Sequence, residues 1–292
     1  MYGAALALVL LMQKSVELVI ANLFKQIILM LAFYFAALSS LFAFACTALG
    51  SAVVFCFSRS RPSLLTKLSL GFSAGIMIAA SVFGLLIPAQ QNILENEGSF
   101  QSIIWGFVLG VSFIILLDRL LPHLHAPAEI PEGPKTTWSK RTLLLLAITI
   151  HNIPEGLALG VCSAAAAYAN SHESTWALIA LAIGIGIQNI PEGTAVSLPF
   201  YADGMSKMRS FLLGLLSGIV EPAAAVTVII FSNLIADLLP FFLSFAAGAM
   251  LYVVIEELIP RSHNMDNNGS DLSSISVLTG FLLMMILDSC LG

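Results

Sequence analysis

Eight stretches of about 20 mainly apolar residues follow one another along the chain: Ile28–Phe57, Leu68–Ile87, Ile103–Leu121, Leu143–Tyr168, Trp176–Phe200, Phe211–Ile235, Phe241–Pro260 and Ile275–Leu291. A helix of about 20 apolar residues crosses the hydrocarbon of a bilayer. Strands of a membrane barrel would be shorter and would alternate in polarity. The pattern therefore predicts an all-α polytopic membrane protein with eight transmembrane helices. Turn-rich pieces join the spans, and no polar run is long enough for a soluble domain. Residues 1–292 are expected to form a single transmembrane domain. Met1–Met12 lacks a basic start and is too short to span, so it does not resemble a signal peptide. Within residues 1–27, Val16–Lys25 is expected to be an amphipathic lead-in lying near the membrane surface.

Composition agrees with this frame. Charged residues make up 10% of the 292, against about 25% in ordinary soluble proteins. So few charges cannot cover a soluble surface, which excludes a soluble enzyme and a nucleic-acid-binding protein. The four cysteines, Cys46, Cys56, Cys162 and Cys290, lie in apolar stretches without metal-ligand spacing.

The placement of charge gives orientation. Arg59, Arg61 and Lys67 follow the first span, and Arg119, Lys135, Lys140 and Arg141 follow the third. Lys207 and Arg209 follow the fifth, and Arg261 the seventh. The connections after spans two, four and six hold neither Lys nor Arg. The basic side is expected to be cytoplasmic, which puts both termini outside. Lys14 and Lys25 in the lead-in are the two dissenting charges.

Acidic side chains stand where the spans should be apolar: Glu155, Glu192, Glu221, Glu256, Glu257 and Asp288, with Asp118 near the end of span three. No lysine lies within a span, and Arg119 and Arg261 are expected only at span ends. A carboxylate at membrane depth costs at least ~2.5 kcal/mol. Acids without a basic partner point to a bound cation or proton. Asp288, near a helix end, is more simply a helix-end polar contact.

A repeat sharpens the argument. Span four carries His151-Asn-Ile-Pro-Glu-Gly156 and span five carries Gln188-Asn-Ile-Pro-Glu-Gly193, a recurrence after 37 residues with five of six identical. His151 and Glu155 are four apart and share a helix face with Asn152; Gln188, Asn189 and Glu192 repeat the arrangement. Pro154 and Pro191 cannot donate to the carbonyls of Ile150 and Ile187, so each is expected to kink its helix and free an oxygen beside the polar cluster. Glu221-Pro222 in span six adds a third Glu beside a third proline. One imidazole, three carboxylates and three amides suit Zn²⁺ and neighbouring divalent ions. Two of the carboxylates could bridge two ions, giving a binuclear site. A second group, Asp118, Arg119, His123 and His125 with Glu256, Glu257 and His263, falls on the basic side. It is either an exit funnel for metal or ordinary solvated helix-end polarity.

The chain resembles the ZIP (Zrt/Irt-like) family of divalent-metal transporters, and its short loops are similar to those of the GufA-type branch. The resemblance rests on His151–Gly156, Gln188–Gly193 and Glu221-Pro222, with support from Leu117–His125 and Ile255–Pro260. It implies a primary metal site of His151, Glu155, Gln188 and Glu192, with Met77 as a weaker contact. It implies a second site of Asn152, Asn189 and Glu221, sharing Glu155 and Glu192. Asp118, Glu256 and Glu257 match a cytoplasmic release path. Some members carry aspartate where this chain has Asn189; the amide keeps an oxygen ligand and removes a charge. The implied activity is transport of Zn²⁺ toward the cytosol by alternating access, with Fe²⁺, Mn²⁺ and Cd²⁺ as further candidates. The implied fold moves a bundle of spans one, four, five and six against the other four. The implied setting is a bacterial inner membrane, with lipid as partner, no nucleic acid, and a homodimer compatible with the small residues on several spans. Two other classes fit less well. An intramembrane zinc hydrolase lacks a second intramembrane histidine, and a proton- or sodium-coupled carrier of an organic solute does not need the His-plus-Glu set.

Overall fold

The computed structural model describes residues 2–57, 63–122, 133–138, 140–263 and 270–291, and among them every regular element is a helix. Eight helical segments are long and apolar enough to cross a membrane. The first is α1 (Tyr2–Ala52), a helix of 51 residues. Neither Gly nor Pro occurs from Ala4 to Leu49, so nothing interrupts its hydrogen bonding. At ~1.5 Å per residue it is roughly 75 Å long, far beyond the membrane core. Residues 12–27 are almost all exposed. The lead-in is continuous with the helix of the first span.

The second span is composite. α2 (Ser63–Ala79) passes through a π-helical turn at Ala80–Leu86 into α3 (Ile87–Glu95). α4 (Gln101–Leu120), α5 (Lys140–Ala169) and α6 (His172–Ala202) are single helices. The sixth span breaks at Ile219 between α7 (Lys207–Gly218) and α8 (Val220–Ile229), one turn before Glu221-Pro222 is complete. After the short α9 (Ser232–Asp237), the seventh span runs through α10 (Leu239–Val253), a π-helical turn at Val254–Leu258, and α11 (Ile259–His263). α12 (Ser270–Leu291) is the eighth. Both π-helical turns end just before a proline, Pro88 or Pro260. A missing N–H there lets the chain accommodate one extra residue per turn.

The radial distribution of side chains is that of a protein in lipid. The interior is rich in Ala, Ser and Gly, whereas Trp105, Leu109, Leu116, Ile275, Leu278 and Leu282 face outward. Without a hydrophobic drive between helices, association in lipid depends on close approach at small residues. Two sets of helices do this. α1 lies along α6 and α5, and α5 along α8; α4 lies along α10, and α2 along α12. Within each set several glycines pack directly on backbone, although Gly186, Gly214 and Gly218 meet side chains of α1. A Cβ on Gly193 would strike the Thr47 carbonyl of α1, and one on Gly156 would strike the Glu221 backbone of α8. In the second set, a Cβ on Gly75 would strike the Val277 carbonyl of α12. Between the sets the corresponding contacts are to side chains: Gly184 to Met284, and Gly84 to Leu181.

Candidate metal-transport site

The paired hexapeptides sit halfway along α5 and α6, and their polar side chains meet inside the bundle. His151, Asn152 and Glu155, and Gln188, Asn189 and Glu192, are all buried. The helices are continuous through Pro154 and Pro191, but the backbone beside them is used. The carbonyl of Gln188 accepts from Ser73 Oγ of α2 at 2.9 Å. At the break in span six, Asn152 Nδ2 donates to the Ser217 carbonyl at 2.9 Å.

Two polar groups share this interior. In one, Gln188 Nε2 donates to Glu155 Oε1 at 2.8 Å, and the carboxyl groups of Glu155 and Glu192 meet side by side. His151, Asn152, Glu155 and Glu192 line a small cavity of about 20 Å³ together with Met77 of α2. In the other, Asn189 Nδ2 donates to Glu221 Oε2 at 2.7 Å and to the Ala43 carbonyl at 3.3 Å. Thr47 Oγ1 of α1 donates to Glu221 Oε1 at 3.2 Å. Thr47 was not foreseen, since a lone hydroxyl in a long apolar span has no sequence signal.

Five buried oxygens around these groups accept no hydrogen bond among the described residues: Asn152 Oδ1, Glu155 Oε2, Gln188 Oε1, Asn189 Oδ1 and Glu192 Oε1. Buried oxygens are normally satisfied. All five belong to the repeated hexapeptides, and carboxylate and amide oxygens are hard ligands for a divalent cation.

The seventh span departs from expectation. Glu256 and Glu257 are adjacent in sequence, yet they separate. Glu256 is exposed and lines a depression of about 430 Å³ with Asp118, Arg119 and Tyr252 at the basic end. Glu257 is buried, lines the mid-membrane cavity and contacts His151 Nδ1 through Oε2. Arg261 corrects the picture of an acid cluster without a basic partner. Its guanidinium is buried, lines the same cavity and donates from Nη1 to Glu257 Oε1 at 2.6 Å. It also lies within electrostatic reach of Glu192. With His151 turned onto Glu257, no three His, Cys, Asp or Glu side chains among the described residues converge tightly enough to enclose one ion. His263 interacts with Ser262, Ser274 and the Ile259 carbonyl. His123 and His125 lie outside the described residues. Asp288, expected to serve only a helix end, lines a depression of about 370 Å³ at the opposite end with Glu95 and Glu173.

Comparison with known proteins gives this geometry a context. The family model described as ZIP Zinc transporter matches residues 128–288. The chain is 35% identical to zinc transporter ZIP11 of Homo sapiens, over 83% of this chain and 93% of that protein. It is 35% identical to zinc transporter GufA of Myxococcus xanthus, over 76% and 86%. It is 34% identical to zinc transporter ZIPB of Bordetella bronchiseptica, over 76% and 71%. Vertebrate and bacterial relatives match about equally well, so the similarity identifies an integral membrane protein without choosing a particular membrane. The chain belongs to the ZIP zinc transporter family, a family of transporters and not of enzymes.

Proposed function

We propose that this chain moves Zn²⁺, or a divalent cation of similar chemistry, toward the cytosol by alternating access around the cavity between α5 and α6. The observation that carries this reading is the set of five unsatisfied oxygens on the repeated hexapeptides. An entering cation would take ligands from His151, Glu155, Glu192, Asn152 and Gln188, with Met77 on the cavity wall. A soft sulfur beside imidazole and carboxylates favours Zn²⁺ and Cd²⁺ over Mg²⁺ or Ca²⁺. By the positive-inside rule, Asp118 and Glu256 line the cytoplasmic exit, while Glu95, Glu173 and Asp288 line the outer entrance. Both termini are then outside. The two sets of helices support a moving unit of spans one, four, five and six, since the glycine-to-backbone interlocks lie within a set, and Gly84 and Gly184, which face the other set, meet only side chains. The test is uptake of radioactive Zn²⁺ by proteoliposomes with Fe²⁺, Mn²⁺, Cd²⁺ and Mg²⁺ as competitors. Saturable uptake competed by Cd²⁺ and not by Mg²⁺ is expected; no uptake above empty liposomes refutes the reading.

The transported unit is a single ion. At the Glu221 side, the Asn189 amide and the Thr47 hydroxyl already direct N–H and O–H at the carboxylate, where a second cation would otherwise be required. Asn189→Asp removes that donor and adds a carboxylate beside Glu221. Zn²⁺ stoichiometry, measured by elemental analysis of the purified protein, is expected to rise from about one toward two. An unchanged stoichiometry in the variant removes Asn189 from the site.

A further inference from the structure

We propose that Arg261 is a tethered counter-ion that competes with the transported metal for the mid-membrane site. The inference rests on the metal-transport reading above and adds to it a residue that no ligand set contains. Arg261 follows Glu257 by four positions across the π-helical turn at Val254–Leu258, so both side chains project from one face into the same cavity. Glu257 divides its carboxylate between two partners. Oε1 accepts from Arg261 Nη1 at 2.6 Å, and Oε2 meets His151 Nδ1. The guanidinium thus does two things at once. It neutralises Glu257 and offsets the charge of Glu192, and through Glu257 it holds the imidazole of His151 off the other ligands.

A dication that binds His151 and Glu192 meets a like charge only one side chain away. Within a low-dielectric interior that repulsion is strong, and a buried carboxylate stripped of its partner is costly. Metal entry therefore requires His151 to leave Glu257 and Arg261 to move away from the cavity. The return of Arg261 drives the ion out. A carrier needs this balance, since a site that binds well enough to load must bind weakly enough to unload. Arg261 is a positioning residue in this scheme and does not touch the ion.

The experiment compares wild type, Arg261→Gln and Arg261→Lys by calorimetric Zn²⁺ binding in detergent and by uptake kinetics in proteoliposomes. Removing the charge in Arg261→Gln is expected to tighten the Kd for Zn²⁺ by about tenfold or more. KM should fall with it, and the maximal rate should fall because unloading is slowed. Arg261→Lys, which keeps a cation, is expected to return Kd and maximal rate most of the way to wild type. A Kd in a folded Arg261→Gln protein that is unchanged or weaker overturns the proposal. A second measurement uses the wild type alone, should that variant not fold. Modification by phenylglyoxal, mapped by mass spectrometry, should accelerate at Arg261 when Zn²⁺ saturates the protein and stay constant at Arg119. A rate at Arg261 that Zn²⁺ leaves unchanged or slows overturns the proposal. If Zn²⁺ binding is lost in His151→Ala yet indifferent to Arg261, the metal site stands and only the counter-ion role falls. If the wild type binds no Zn²⁺, both fall.

Discussion

Zn²⁺ uptake is expected to drop to about a tenth of wild type or less in both His151→Ala and Glu192→Ala, at equal membrane abundance. Loss of even an outer partner of a metal ligand costs about 10–100-fold in affinity, and these two residues are proposed as direct ligands from different helices. Neither change should unfold the protein. Both side chains line the cavity and are not packed in the small-residue contacts between helices. The two variants should nevertheless differ in one respect. His151→Ala also takes away a partner of Glu257, while Glu192→Ala removes an acid that faces both Glu155 and Arg261. His151→Ala should therefore lose Zn²⁺ binding with little change in melting temperature, whereas Glu192→Ala should lose binding and lower it, because the buried Arg261 then keeps one acid where it had two. Uptake and thermal melting of the same preparations check this, and normal uptake by either variant removes it from the ligand set.

Gly193→Leu is expected to be the most destabilising single change among the helices that carry the hexapeptides. The new Cβ would meet the Thr47 carbonyl, the Ser51 amide nitrogen and Ser51 Oγ of α1, and two of those three are backbone atoms that cannot rotate away. Overpacking a close-packed site costs about 1–3 kcal/mol, occasionally more, and here a whole helix must shift. The shift would also pull Thr47 from Glu221, and Thr194 Oγ1 from the Gly50 carbonyl, now at 2.9 Å. Gly193→Ala should show the same effect in smaller measure. Thermal melting in detergent should place Leu well below Ala, and Ala below wild type. Equal melting of all three would mean that α1 and α6 are not held together at this point.

The same glycine shows how far the residues themselves could be followed. Gly156 and Gly193 were visible in the sequence as the last letters of the repeated hexapeptides, but only as part of a pattern around ligands. Their place against α8 and α1 gives them a second role: they admit the helices that bring Glu221 and Thr47 to the site. The π-helical turns before Pro88 and Pro260 were not foreseen either. Proline announces a missing donor, and whether the chain answers with a kink, a break or a wider turn depends on neighbouring helices. Pro154 and Pro191 lie in continuous helix, the chain breaks just before Pro222, and π-helical turns precede the other two.

The sequence by itself determined the solvent, the helical class, the number of spans and the polar hexapeptides on spans four and five. Each of these follows from local chemistry: apolar length, the cost of acids in lipid, and spacing of three and four along one helix. The tertiary structure decided which side chains share a space. Glu256 and Glu257 are neighbours in the chain and part company in the fold, because the turn at Val254–Leu258 aims one at the basic end and the other at the cavity. In the sequence Arg261 reads as a charge at a helix end; in the fold it is a buried partner of the acids, because its reach depends on how far α11 is inserted beside α2. Local rules tell how far apart two residues stand along one helix; which cation stands beside which carboxylate is a matter of how the helices are packed.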